Sequence, residues 1–419
     1  MDPVDTGTTA FMLCCIIGLT LMIPGLALFY GGMVSVKSST NMMMMTFGAV
    51  AVVGVLWVLF GFSMVFGTSY GGFVGSFTEF AGMKDLLESQ TTISGLPISL
   101  FSIFQALFAA ITVALISGAV ADRMKFGAWM GFATLWAVLV YFPVAHWVFA
   151  FDGVVTENSV GGWIANQLKA IDFAGGTAVH INAGAAALAV AIVLGKSAMF
   201  GSRKPHNVPL TLLGAGLLWA GWYAFNGGSA LAAGNSAAIV MVTTFVATCA
   251  ATLAWLAVEK IKDGHVTGVG AASGAITGLV AITPACGAVT PIGAIFVGAI
   301  AGAICVYAVS LKEKFGYDDS LDVVGVHLVG GVIGTLLIGL FASETMPNAT
   351  NGLFYGGGIE QLWKQAVAAF AVMAYSFVVA FAIAFVLKKT VGIRISPDEE
   401  EKGIDASFHR EASYEFTAS

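Results

Sequence analysis

What most limits the folds open to this chain is the recurrence of apolar runs about 20 residues long, the length a helix needs to cross the hydrocarbon core of a bilayer. Eleven are read, near 8–34, 43–66, 99–121, 127–149, 177–195, 208–226, 235–258, 266–283, 290–311, 323–343 and 361–387. Alternating apolar and polar strands of about ten residues, the mark of an outer-membrane barrel, are absent. The 419 residues are 58% hydrophobic and only 10% charged, with 52 glycines, which excludes both a soluble globular chain and a disordered one. The expected fold class is an all-α membrane protein.

The basic residues give the chain a direction. With the N-terminus outside, Lys37, Arg123, Lys125, Lys196, Arg203, Lys204, Lys260, Lys262, Lys312, Lys314, Lys388, Lys389, Arg394, Lys402 and Arg410 fall in cytoplasmic segments. Only Lys84, Lys169 and Lys364, of the 18 basic residues, lie near the outer face. That asymmetry predicts N-out, C-in. Before Lys37 the start, MDPVDTG, lacks the basic region of a secretory signal, so the first span is expected to remain as a helix. Residues 1–388 form the expected transmembrane domain, and 389–419 a cytoplasmic tail too charged to enter the bilayer, either solvated or docked. The five cysteines, Cys14, Cys15, Cys249, Cys286 and Cys305, lie in or beside apolar spans without metal-ligand spacing and read as small packing residues.

The stretch DFAGGTAVHINAGAAALAVAIVLG, Asp172 to Gly195, places His180 inside an otherwise apolar span. His327, in DVVGVHLVGGVIGTLLIGL, is the other histidine so placed. A chargeable group in hydrocarbon costs several kcal/mol and by default faces a partner or a pathway. Both histidines follow an aspartate, Asp172 and Asp322, and both are followed by small residues: Ala183 to Ala187 in one span, Gly330, Gly331 and Gly334 in the other. Such residues let helix backbones approach closely. The two spans are the fifth and the tenth, so five-helix halves (helices 1–5 and 6–10), being odd, form an inverted repeat with its site at the midplane, an eleventh helix standing outside. The expectation is that the two imidazoles face one another across a narrow path.

Such a path does not suit a bare cation, which needs a ring of carbonyls or carboxylates in place of its water. A small neutral molecule that donates and accepts hydrogen bonds fits, since a neutral imidazole offers one donor and one acceptor. Phe104 and Phe108, four apart, share a face of the third span; Trp222 and Phe225 lie three apart in the sixth, with Ser229 just beyond. Aromatic faces turned to the path attract a cation by about 0.5–2 kcal/mol each, while the same residues facing lipid or core do not. No nucleophile and base pair or metal-ligand cluster is evident, so an enzyme is not expected; nor is a cofactor, a metal or a nucleic-acid partner.

The motifs PGLALFYGGMV, FQALFAAITVALISGAVADRMKF, DFAGGTAVHINAG, LLWAGWYAFNGGSA and DDSLDVVGVHLVGG, in this order, resemble those of the ammonium transporters of the Amt/Mep/Rh superfamily, Amt branch. The resemblance runs from the first span through the tail. It implies eleven helices, a homotrimer with one pore per subunit, residence in the inner (plasma) membrane, and uptake of ammonium, with methylammonium as analogue, through ammonia-conducting pores with possible separate proton transfer. The family's twin pore histidines fall on His180 and His327, and its phenylalanine gate on Phe108 and Phe225. Its outer recruitment site falls on Phe104, Trp222 and Ser229, and its vestibule carboxylate on Asp172, which also reads as a helix cap. Where the branch usually has tryptophan after AHxV, this chain has Phe149, whose face attracts cations less and lacks the N–H, so a weaker or altered outer site is expected. His146 in that motif reads as a packing residue, and Asp322 as a cap and loop anchor. The tail keeps Gly403, Ile404 and Asp405 but reads FHREASY; the resemblance implies subunit coupling and a possible PII-class regulator at the cytoplasmic face. An ammonium sensor with little flux, or a Rh-like neutral gas channel, is the alternative.

Overall fold

A computed structural model describes residues 3–86, 95–155, 159–348 and 350–414. The chain is a bundle of helices, α1 (Thr6–Met33), α2 (Val36–Phe66), α3 (Ile98–Val120), α4 (Phe126–Phe149), α5 (Gly176–Leu194), α6 (Val208–Gly228), α7 (Asn235–Asp263), α8 (Gly268–Ile282), α9 (Pro291–Phe315), α10 (Val324–Phe341) and α11 (Glu360–Thr390). Among the described residues, ten are long and apolar enough to cross a membrane. The expected eighth span, 266–283, is the shorter α8, whose 15 residues extend about 22 Å, less than a hydrocarbon core of about 30 Å. Helices are the form such sequences must take, because hydrocarbon offers no water to an unpaired peptide group.

Local chemistry sets the ends. Asp5 accepts from the Thr8 N–H at the start of α1, Thr267 from Gly270 at α8, and Thr290 from Gly293 at α9, where Pro291 takes the first helical position. Within α1 the regular helix is interrupted at Leu21, since Pro24 has no N–H and its ring crowds the carbonyl four residues back.

Packing follows one scheme twice. The pairs α1–α2, α1–α3, α2–α3, α2–α4, α3–α4, α3–α5 and α4–α5 recur as α6–α7, α6–α8, α7–α8, α7–α9, α8–α9, α8–α10 and α9–α10, while α1 packs on α6 and α5 on α10. Glycines at the joins admit the neighbouring backbone: a Cβ on Gly214 would lie 2.2 Å from the Phe29 nitrogen, and one on Gly25 3.0 Å from that of Leu218. The most apolar stretch of α5 is 89% buried, against 28% for α11, so α5 runs through the centre and α11 along the outside.

One end of the bundle carries a buried ion-pair network. Arg203 reaches Asp318 at 2.8 Å and Asp122 at 3.2 Å, and Arg123 bonds to the Gly195 carbonyl at 2.9 Å and to Ser320. The tail folds across this end. Ile395 donates to the Arg123 carbonyl (3.1 Å), a short helix α12 (Pro397–Lys402) begins in a Ser396/Glu399 capping box, and Glu400 pairs with Arg394 at 3.1 Å. Buried Asp405 then accepts from the backbone N–H groups of Thr40 (3.0 Å) and Asn41 (2.7 Å) in the first turns of α2. Of the two readings open for the tail, docking is what its described part, through residue 414, displays.

Candidate functional site

The centre of the bundle is where α5 meets α10, and glycines decide how closely. A Cβ on Gly184 would fall 2.5 Å from the Leu328 nitrogen, and one on Gly331 3.2 Å from the Ile181 nitrogen. Gly184 and Gly331 each stand four residues after a histidine, and Ile181 and Leu328 one residue after, so the contact is reciprocal. Each histidine lies in a π-helical turn, Gly176–Ile181 and Val324–Val329, the wider winding often found where a helix carries function. The outcome is that His180 and His327, 147 positions apart, bring their Nδ1 atoms to 3.3 Å with ring centroids 5.3 Å apart. One ring donates and the other accepts across that contact, so the two are held in different tautomers when neutral. The Nε2 of His180 is buried and has no hydrogen-bond partner among the described residues.

Both rings line a narrow enclosed cavity whose other walls are mainly apolar, among them Leu26, Ile111, Leu115, Val179 and Ile276. Trp222 and Phe225 line it too. Phe225 stacks on Phe108 at 3.9 Å and 19°, and Phe108 in turn lines an open vestibule on the far side, so the pair is a partition two rings thick. The vestibule is also lined by Phe149, Asp172 and Ser229. Phe149 meets Phe108 edge-on at 6.1 Å. The Ser229 hydroxyl donates to the Phe225 carbonyl (2.9 Å), which commits its proton and leaves its oxygen as an acceptor.

Two of the residues assigned to the outer group stand elsewhere. Trp222 is on the histidine side of the partition: its ring stacks on His180 at 5.4 Å, and its Nε1 donates to Thr283 at 2.8 Å. Sequence places it three residues from Phe225, and on a helix that is almost one turn toward the centre of the membrane. Phe104 is buried behind Phe108 (4.9 Å) against Gly228, where a Cβ would come 2.7 Å from its ring, and it is not among the vestibule walls.

Asp172 is the cap of α5. Its carboxylate accepts from the N–H groups of Gly175 (2.8 Å), Gly176 (2.6 Å) and Thr177 (2.8 Å) and from the Thr177 hydroxyl. Its counterpart is Asp319 rather than Asp322. Asp319, like Asp172, stands eight residues before its histidine, and it accepts from the Val324 N–H at 2.7 Å. Asp322 is the anchor expected of it, but among the described residues its side chain caps no helix: it pairs with Lys312 at 2.6 Å from a left-handed backbone (φ 63°). Burial pushes the Asp319 carboxyl up to about 6, Lys312 opposing, and its Oδ1 has no hydrogen-bond partner among the described residues. Beside it, Tyr30 lines the cavity and donates to the Leu115 carbonyl at 3.0 Å. Sequence reasoning missed both residues; the shared offset of eight before each histidine was the signal available for Asp319.

His146 is fully buried with both nitrogens engaged, by the Val65 carbonyl (2.6 Å) and the Ser69 hydroxyl (2.7 Å). It packs, and takes no part in the cavity.

Comparison with known proteins adds three findings. A family model described as Ammonium Transporter Family matches residues 10–414. The chain is 52% identical to a protein of Mycobacterium bovis named ammonium transporter, over 99% of this chain and 92% of that one. Among solved structures it resembles Saccharomyces cerevisiae Mep2 (TM-score 0.85, 32% identity, 94% of this chain and 91% of that one) and a protein titled Sensor Amt Protein (TM-score 0.87, 28% identity, 96% and 98%).

Proposed function

The chain belongs to the ammonium transporter family, and from that premise we propose that it moves ammonium across the inner (plasma) membrane as ammonia, through the cavity that holds the histidine pair. One observation carries the reading: two imidazoles in contact inside an otherwise apolar cavity closed by stacked phenylalanines. Moving an ion of ammonium's size into a low-dielectric medium costs on the order of 20 kcal/mol in the idealised limit, and several kcal/mol after relaxation. Neutral ammonia forfeits only hydrogen bonds, and the imidazoles supply replacements.

In this reading the vestibule faces outward and the network end with the tail faces the cytoplasm, N-out and C-in. α8 serves as the eleventh crossing, and the two packing sets form the inverted repeat. Ammonium is held in the vestibule by the faces of Phe108 and Phe149 and by the Ser229 oxygen, with Asp172 keeping the local potential negative. It loses its proton there. Ammonia passes when the Phe108 and Phe225 rings swing apart, bonds to the free Nε2 of His180, and moves along the pair toward Tyr30. Trp222 holds the His180 ring flat from behind and serves the pore rather than recruitment. The proton follows by a separate water and imidazole relay, which makes transport electrogenic. Three subunits assemble with one pore each, and the docked tail is the element a PII-class regulator meets.

A second reading has one specific support, the resemblance to a structure titled Sensor Amt Protein. On that reading the histidine cavity of this chain binds ammonium and signals with little flux. Purified protein in liposomes on a solid-supported membrane separates the two. An ammonium jump is expected to give a transient current, and methylammonium a smaller one. Tail movement on ammonium binding with neither current nor uptake would establish the sensor instead.

A further inference from the structure

The vestibule in front of the phenylalanine partition carries a group that the recruitment of a cation does not explain. Among the described residues that line it, Lys169 is the one basic side chain. It is exposed and, among the described residues, forms no ion pair, whereas Arg123, Arg203 and Arg394 at the other end of the bundle are each matched to a carboxylate. The two acidic side chains in the same walls are engaged with backbone. Asp152 accepts from the Gly161 N–H at 2.7 Å, and Asp172 caps α5.

The backbone holds Lys169 in this place. It follows the turn Ile164–Leu168 in a left-handed conformation (φ 57°, ψ 41°), which glycine adopts freely and a lysine adopts against steric resistance. Two buried glutamines of α11 then pin the chain: Gln361 donates to the Lys169 carbonyl at 3.5 Å and to the Gln365 side chain at 2.9 Å. Gln365 in turn accepts from the Ile171 N–H and donates to the Ile171 carbonyl, each at 2.7 Å. The lysine is thereby tethered three residues before the acidic cap by a segment fixed to α11. Its head is a primary ammonium, with the charge and the N–H donors of the ion that the vestibule takes in.

We propose that Lys169 sets the ammonium affinity of the vestibule by like-charge repulsion, opposing the attraction of Phe108, Phe149 and Asp172, and makes that affinity depend on ionic strength. The proposal rests on the reading that ammonium enters by this vestibule. Lys169 stands outside the partition, so it changes how much ammonium is needed and not how fast a filled pore turns over.

Ammonium-induced current in proteoliposomes, followed against ammonium concentration at two ionic strengths set with N-methylglucamine chloride, tests it. At about 10 mM salt, where charges act over about 30 Å, Lys169→Gln is expected to lower the half-saturating concentration about threefold with the maximal current little changed. At about 1 M, where that reach is about 3 Å, the variant and the unaltered protein are expected to coincide. Lys169→Arg keeps the charge and is expected to match the unaltered protein at both. Lys169→Gly removes the charge and also suits the left-handed backbone, and is expected to shift as Lys169→Gln does. An unchanged half-saturating concentration in Lys169→Gln at low salt would overturn the proposal. So would a shift of equal size at both ionic strengths, or one shared by Lys169→Arg, since each marks an effect of shape and not of charge. Absence of any current from the unaltered protein would instead overturn the reading of the vestibule itself, and this proposal with it.

Discussion

Adding a single methyl group at Gly184 tests the central geometry without touching either histidine. In Gly184→Ala the new Cβ would stand 2.5 Å from the Leu328 nitrogen, 2.6 Å from its Cβ and 2.7 Å from its Cα. Ordinary carbon contacts lie near 3.5–4.0 Å, so about 1 Å must be found, and backbone cannot yield as a side chain does. The relief available is for α5 and α10 to part by that amount. The histidine nitrogens, 3.3 Å apart at the start, then separate beyond about 4 Å, too far for a hydrogen bond. Overpacking of this kind costs about 1–3 kcal/mol of stability. Losing one or two hydrogen bonds from the path raises its barrier by about 1–2 kcal/mol, a factor of roughly 5–30 in rate. The assay is ammonium-induced current in proteoliposomes, with a thermal melt of the same sample in detergent. Gly216→Ala is the control, since a Cβ there meets nothing within 4 Å and alanine is the better helix former by up to about 1 kcal/mol. Current and melting temperature should both fall in Gly184→Ala and hold or rise in Gly216→Ala. Wild-type current from a well-folded Gly184→Ala protein would refute the claim that transport depends on the closeness of these two helices.

Other outcomes follow from the same geometry. Ser229→Ala removes a neutral acceptor from the vestibule and should raise the half-saturating ammonium concentration about tenfold, read from current against concentration, with the maximal current little changed. Phe149→Trp restores an indole face and an N–H, and should lower that concentration by about two- to fivefold. Asp319 makes stability depend on pH: its carboxyl is raised from 3.8 to about 6 in the folded chain, so its ionised form opposes folding, an effect absent below pH 4 and complete above about pH 6. The melting advantage of Asp319→Asn over the unaltered protein should therefore grow between pH 4 and pH 7, by as much as about 3 kcal/mol at its limit; a flat or shrinking difference would remove the assignment. Asp405→Ala removes the acceptor for Thr40 and Asn41, and trypsin should then cut at Arg394 and Lys402 markedly faster than in the unaltered protein.

Much was legible in the residues because hydrocarbon is an unforgiving solvent. It requires helices about 20 residues long and makes any buried ionisable group conspicuous, so ten of the eleven spans read, and the placing of His180 and His327 inside two of them, could be had from composition and length. The spacing of Phe104 and Phe108 likewise foretold one shared helix face, and their rings meet at 4.9 Å. What linear order does not carry is depth and facing. Trp222 was grouped with Ser229, yet it stacks on His180 inside the partition, because side chains three residues apart on a helix differ in height by about 4.5 Å. Asp322 was paired with Asp172 because both precede a histidine, but the folded loop gives the capping role to Asp319 and turns Asp322 toward Lys312. The apolar run 266–283 was read as an eighth span, but its helix, Gly268–Ile282, has only 15 residues, and its place in the bundle is set by the helices it packs against. The sequence by itself determined that this chain belongs in a membrane and which few polar groups it can least afford to bury without purpose, since transfer free energy depends on residue type alone. Only the tertiary structure decided which of those groups touch, because contact across 147 positions depends on where glycines let two backbones meet.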